Sequence, residues 1–145
     1  MLKVVLDTSI LISAFLRQNG INATILCQGK DSYHLYLSED ILEETTRVLL
    51  TYDRIRKKYH YSDDEAAEYL EALILSATEV IKRLPKIEVI KNDPKDNHVL
   101  ACGLKSKADY IVSKDDHLTD LKEYQGIKIV SSRQFLEILR PQPIT

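Results

Sequence analysis

Five short apolar runs punctuate the chain: "KVVLD" (3–7), "HLYLS" (34–38), "TEVIKRL" (78–84), "DYIVS" (109–113) and "IKIVS" (127–131). Runs of this length, rich in Val, Ile and Tyr and bounded by polar residues, read as strands. Between them apolar residues recur at helical spacing over 8–17, 22–29, 39–50, 63–77, 94–107 and 132–140, and "LTDL" reads as a short helical turn. Strands alternating with amphipathic segments predict an α/β fold: a three-layer α/β/α sandwich around a mostly parallel, about five-stranded sheet. No internal repeat, low-complexity tract or Pro/Gly-rich linker interrupts the pattern, so residues 1–145 read as a single domain. Ligands of such sheets gather outside the carboxyl ends of the strands, at a topological switch point. The strand ends are therefore where chemistry is expected.

Composition narrows the picture without redirecting it. With 145 residues, 44% apolar and 29% charged, the chain can bury a core without staples. Cys27 and Cys102 both lie inside apolar helical patterns; they read as small core residues of a cytoplasmic protein, not as a disulfide framework or zinc site. The opening "MLKVVLDTSILISAFL" is broken by Asp7 and lacks a small-residue cleavage site, so it is expected to belong to the fold. No apolar stretch approaches transmembrane length, and no membrane association is expected. A net charge of −2 gives no global field for nucleic acid, although local patches can still contact phosphates.

Acids then stand out at the strand ends. Asp7 closes the first run and precedes the apolar "TSILISAFL". Asp is a good helix N-cap, but Thr8 and Ser9 can cap as well, which leaves Asp7 free for another task. In "SEDILEETTRVLL", Ser38 is the expected cap and Glu39 and Asp40 suit the first turn. Residues placed at 100° intervals put Ile41, Leu42, Thr45, Val48 and Leu49 on one stripe, with Glu43 opposite and Glu44 at the border. Glu44 is thus either amphipathic trim or an acid positioned to reach inward. In "NDPKDNHVLACGLKSK", Asp93 before Pro94 marks a helix start. Asp96 falls on the buried face with Val99, Leu100, Gly103 and Leu104, where a lone carboxylate is costly. Asn97, at the edge of that face, can hydrogen-bond to its neighbours. Asp115 and Asp116 both follow the fourth strand; one is expected to cap the next turn, and Asp116 is the better candidate for that.

Each acid has a dull explanation alone, yet Asp7, Glu44, Asp96 and Asp115 come from four segments near one end of the sheet. Two carboxylates about 5 Å apart repel by roughly 3 kcal/mol at an effective dielectric near 20. No Lys or Arg has matching strand-end placement in all four segments. A hard divalent cation fits best, one or two Mg²⁺ or Mn²⁺ ions held by a few carboxylates with waters retained. Such ions activate water and stabilise charge in phosphodiester hydrolysis. Two other acid-rich α/β types fit less well. A phospho-acceptor receiver needs an acidic pair after its first strand and a Lys closing the last. A haloacid-dehalogenase-type phosphatase needs Asp-x-Asp, and residue 9 is Ser.

The successive stretches "VVLDTSILISAFL", "LSEDILEETTRVL", "DPKDNHVLACGLKSKADYIVSKDDHL" and "IKIVSSRQFLEIL" resemble, in order and across residues 3 to 139, the motifs of the PIN-domain family of metal-dependent ribonucleases. The subgroup they resemble most is the VapC-like toxin component of toxin–antitoxin pairs. The resemblance implies that Asp7, Glu44, Asp96 and Asp115 are the family's four acids, catalytic and metal-binding, and that cleavage leaves 5′-phosphate and 3′-hydroxyl ends. It also implies a supporting role for Ser9, where the family carries Asn, Ser or Thr, and for Ser113 in a motif that usually reads Thr/Ser-Gly-Asp. Lys114 replaces that Gly and brings a charge able to meet phosphate. Asp116 and His117 match variable positions and are not assigned to catalysis.

An RNA substrate, an antitoxin protein partner and a homodimer follow from the same resemblance. For RNA, "TYDRIRKKYHY" (51–61) interleaves Arg54, Arg56, Lys57 and Lys58 with Tyr52, Tyr59 and Tyr61, the mixture that neutralises phosphates and stacks bases. A solvated helix end explains the same residues. His34, His60 and His98 have no metal-like spacing, and His98 falls on the outer side of its helix. Two other functions stay open: an RNA- or partner-binding module that does not cleave, and a housekeeping RNA-processing nuclease.

Overall fold

The computed structural model describes residues 1–91 and 93–140. In chain order the elements are β1 (Leu2–Leu6), α1 (Thr8–Leu16), α2 (Ile21–Ser32), β2 (Tyr33–Ser38), α3 (Glu39–Thr51), α4 (Asp53–Tyr59) and α5 (Asp63–Ser76). There follow β3 (Glu79–Ile81), α6 (Pro94–Ser106), β4 (Tyr110–Val112), α7 (Asp116–Thr119), β5 (Glu123–Tyr124), β6 (Ile127–Val130) and α8 (Ser132–Leu139). The strands form one sheet in the order β3-β2-β1-β4-β6-β5, parallel throughout except for the β5–β6 pair. This is the expected α/β/α sandwich with a sixth strand added at one edge.

The sixth strand comes from a hairpin that the apolar pattern does not announce. Gln125 and Gly126 both have positive φ, 47° and 85°, as a two-residue turn matched to strand twist requires. Three residues of the expected strand 78–84 pair with β2, at Glu79, Val80 and Ile81. The basic stretch 51–61 is not a frayed end of α3 but mostly a separate helix, α4.

The central strand explains the rest of the packing. Val4, Val5 and Leu6 are wholly buried, because a parallel strand is covered on both faces. Helix α6 crosses one face over β1, β2 and β4. It lies close, since a Cβ on Gly103 would come within 2.9 Å of Ile111 Cδ1 on β4. Helices α2 and α8 pack together on the other side, where Phe135 of α8 meets Tyr33 edge-on at 5.3 Å between ring centroids. Cys102 is buried within α6 as expected, whereas Cys27 is exposed: it lies on the outer face of α2, next to the buried Ile25 stripe but not in it.

From β1 the chain crosses first to β2, whereas β4 lies on the other side of β1. The switch point therefore lies between the carboxyl ends of β1 and β4.

Candidate metal centre

The two strands of the switch point are tied together where they end. The Asp7 backbone N–H donates to the Val112 carbonyl at 3.1 Å. The Asp7 carboxylate caps α1 itself: Oδ1 accepts from the N–H groups of Ser9 at 2.8 Å and Ile10 at 3.3 Å. The sequence left the cap open between Asp7, Thr8 and Ser9; the extended backbone at Asp7 gives it to the acid. Ser9 contributes its hydroxyl instead, donating to the same oxygen. Oδ2 accepts from the Ser113 hydroxyl. Burial raises the Asp7 pKa, and the bonds from Ser113, Ser9 and Ile10 oppose that rise without cancelling it.

Ser113 joins this cap to the next. Its Oγ accepts from the Asp115 N–H at 2.9 Å, while the Lys114 N–H reaches Ser9 Oγ at 3.3 Å. Asp115 is the N-cap of α7, its Oδ1 accepting from the His117 N–H at 2.8 Å. That corrects the sequence reading, which gave this cap to Asp116. Asp115 keeps an extended backbone that aims its carboxylate at the free amide two residues on, and Asp116 is already helical and exposed.

Helix α6 brings the other acids. Asp93 caps it, Oδ1 accepting from the Asp96 N–H at 3.3 Å, with Pro94 at the first helical position. Asp96 lies on the buried face, 5% exposed, and its Oδ2 has no hydrogen-bond partner among the described residues. Burial, then the neighbouring carboxyls of Asp93 and Asp115, push the Asp96 pKa up to about 8. Burial also pushes Asp93 upward, but hydrogen bonds from Asp96 and His117 outweigh it and hold Asp93 below the usual carboxylate range.

His117 Nδ1 stands among three of these groups, 3.5 Å from Asp93 Oδ2, 3.7 Å from Asp96 Oδ2 and 3.8 Å from Asp115 Oδ1. One ligand atom from each of Asp93, Asp96, Asp115 and His117 lies within 4.8 Å of all the others. Glu44, half-buried on the second turn of α3, is paired with Lys95 Nζ at 3.1 Å. Asp7, Ser9, Glu44, Asp93, Asp96 and Asp115 together line one cavity of about 400 Å³, with Lys95 at its wall.

All four acids singled out in the sequence thus face one pocket, but the tightest set of potential ligands is different. Asp93 and His117 join Asp96 and Asp115 there, while Asp7 and Glu44 line the same pocket outside that set. Sequence reasoning assigned Asp93 to capping alone and set His117 aside. The signal for Asp93 was its i, i+3 spacing to Asp96 on one helix face. The dense carboxylates and the orphaned Asp96 oxygen suit a hard divalent cation, with the His117 imidazole as an additional nitrogen donor.

The remaining residues are distributed elsewhere. Asn97 turns away from the pocket and clamps the segment before α6: Oδ1 accepts from Val89 N–H at 3.0 Å and Ile90 N–H at 2.8 Å, and Nδ2 donates to the Ile90 carbonyl at 2.9 Å. On α4, Arg56 is engaged internally, donating to the Leu49 and Leu50 carbonyls and pairing with Asp63 at 2.5 Å. Tyr61 is buried. Arg54, Lys57 and Lys58 are exposed, and the last two turns of α3 separate Glu44 from them by about 10 Å of helix. Lys114 is exposed beside the pocket.

The chain as a whole is similar to known proteins. Residues 3–117 match the family model of the PIN domain. A chain of VapBC2 from Rickettsia felis, solved bound to a DNA fragment from their promoter, superposes with a TM-score of 0.60 at 14% identity, over 89% of this chain and 98% of that one. A domain of a functionally unknown protein from Methanocaldococcus jannaschii superposes with a TM-score of 0.56 at 16% identity, over 89% of each chain. No protein of curated function matches the sequence.

Proposed function

The chain belongs to the PIN-domain family, and from that premise we propose that it is a metal-dependent endoribonuclease, the VapC-like toxin of a toxin–antitoxin pair. Members of this family are generally nucleases. The observation that carries the reading is the buried, unpartnered Oδ2 of Asp96 facing the carboxylates of Asp93 and Asp115. A buried carboxylate without a donor is unfavourable unless a cation completes it.

In this reading Asp96, Asp115 and Asp93 hold one or two Mg²⁺ or Mn²⁺ ions, with His117 at the margin and Asp7 and Glu44 elsewhere on the pocket lining. A bound divalent ion supplies an acidified water and stabilises charge on the phosphate. The protein supplies position. Ser9 and Ser113 fix the Asp7 carboxylate, and Ser113 also fixes the turn that carries Asp115. The hydrogen bond from His117 sets the Asp115 rotamer, so the acids are oriented before substrate arrives. Lys95, at the mouth, is a cation able to leave Glu44 for a phosphate oxygen. The antitoxin, a homodimer and action in the cytoplasm belong to the same proposal; exposed Ile74 and Leu75 on α5 are consistent with a covered surface, and no helix among the described residues is long and apolar enough to cross a membrane.

A second reading has its own support. Lys95 on Glu44 supplies counter-charge, and the His117 imidazole stands among three acids, which lets the pocket stand without a metal in a module that binds RNA or a partner but does not cleave. Incubating purified protein with structured and unstructured RNAs in Mn²⁺, Mg²⁺ or EDTA separates them. Cleavage in metal and none in EDTA is expected. Cleavage that survives EDTA rules out the metal mechanism, and no cleavage under any metal gives the chain to the binding module.

A further inference from the structure

Beside the acid pocket, along the same edge of the sheet, runs a larger groove of about 1,110 Å³. It is floored by the ends of β4 and β6 and walled by the first turns of α2 and α8 and by α7. Arg17, Lys114, Lys122, Lys128 and Arg133 line it, against the two carboxylates of Asp116 and Glu123. Among the described residues none of these five cations is in a salt bridge. In a chain whose net charge is −2, this is a local concentration of unused positive charge.

Asn22 also lines the groove. It is 95% buried, with 5% exposed, and its Oδ1 accepts from the Ser132 hydroxyl, tying α2 to α8. The groove also abuts the acid pocket directly. Ser113 lines the groove while its hydroxyl holds Asp7, and the Lys114 amide holds Ser9.

We propose that this groove, and not the basic stretch of α4, carries the sugar–phosphate backbone of the RNA on one side of the scissile bond; this rests on the nuclease reading above. Lys114 then stands at the junction between the bound strand and the acid pocket, where it meets the first phosphate outside the pocket. No aromatic side chain lines the groove, so it offers charge and donors without stacking platforms. Binding there reads the backbone and tolerates sequence. On α4, by contrast, Arg56 is committed to Asp63 and to backbone carbonyls, and Tyr61 is buried.

The test is fluorescence anisotropy of a labelled oligouridine of about a dozen nucleotides, bound to the full chain in EDTA across a salt series. Neutralising Lys122, Lys128 and Arg133 together (each →Gln) is expected to weaken binding by roughly tenfold or more and to flatten the slope of log K on log salt by about 2, at ~0.7 per phosphate contact on single strands. Neutralising Arg54, Lys57 and Lys58 together is expected to change affinity less than about twofold, within the range of surface charges off the strand path. The reverse ordering of the two triple variants, or an unchanged salt slope, overturns the assignment. So does tighter binding of polyglutamate than of oligouridine with only the former lost in the groove variant, which would give the groove to an acidic protein. If the groove binds as expected but no metal supports cleavage, the nuclease reading fails and the groove stands. If the groove variant cleaves RNA with unchanged kcat/KM, the groove fails and the nuclease stands.

Discussion

Asp96 is a carboxyl that the fold holds where ionisation is unfavourable, and its behaviour with pH is accordingly the most direct probe of the site. Its folded-state pKa, about 8, lies above the ordinary value of 3.8, so the folded protein binds this proton more tightly than the unfolded chain does. Stability from this group is fully present below pH 3.8 and declines as pH rises toward about 8. In EDTA, Asp96→Asn removes the charge and keeps the shape. It should raise the melting temperature by about 4–12 °C at alkaline pH, from about 1–3 kcal/mol for an unsatisfied buried group and about 4 °C per kcal/mol for a domain of this size. The gain should vanish in acid, where Asp96 of the wild type is protonated. Thermal melts of both proteins across pH decide it, and a wild-type stability that is flat from weak acid to weak base contradicts it. Asp7→Asn makes the complementary case. Asn is as good an N-cap as Asp, so α1 and the fold should survive with a loss below about 1 kcal/mol, while metal-dependent cleavage should fall by a factor of about 100 or more, the scale expected when a preorganised charge is removed from an active site.

Among elements, the site depends on one hydroxyl that links two helix starts. Ser113 donates to Asp7, the cap of α1, and accepts from the amide of Asp115, the cap of α7. Ser113→Ala leaves a buried carboxylate oxygen and a backbone N–H unpaired, and it should destabilise the protein by about 1–3 kcal/mol. Urea denaturation checks this, with an unchanged m-value expected because the surface exposed on unfolding is the same. Loss of stability without loss of metal affinity would mean that the hydroxyl holds the fold but not the acids. What the sequence makes legible is governed by the same local logic. Strand ends, caps and helix faces are set by neighbours within a few residues, so β1, β2, β4, β6 and the inward aim of Asp96 were readable. The turn at Gln125 and Gly126 was not, since a non-glycine residue at positive φ leaves little trace in an apolar pattern. Nor was the grouping of Asp93 with His117. Their side chains meet only because α6 and α7 converge on the switch point, a relation between segments that no single stretch encodes. The basic stretch 51–61 misled for the opposite reason: it is conspicuous in sequence, but packing commits Arg56 and Tyr61 inward.

For the whole molecule, the fold sorts its charge along one edge of the sheet, acids at the β1–β4 switch point and cations beside them over β4 and β6. The two halves of that edge should respond oppositely to solution conditions. RNA binding to the cationic half weakens with salt, whereas the acid pocket is governed by protons and divalent ions. Burial raises the pKa of Asp7, and burial with the neighbouring carboxyls raises that of Asp96 to about 8, so the metal-free pocket retains the Asp96 proton near neutrality and a bound cation must displace it. Metal affinity should therefore rise with pH until Asp96 has ionised, near pH 8, and level off above it. Titration calorimetry with Mn²⁺ in two buffers of different ionisation enthalpy reads the released protons directly, with about one per ion expected near neutrality and fewer at higher pH. A saturating ion at about 100 times its Kd adds roughly 2.7 kcal/mol to folding, which should raise the melting temperature by about 10 °C in a domain of this size. The same addition should leave Asp96→Asn almost unmoved, because that variant has lost the orphaned oxygen as a charged ligand. A wild type that melts at the same temperature in Mn²⁺ and in EDTA would mean that the pocket takes no divalent cation, and would favour the binding module over the nuclease.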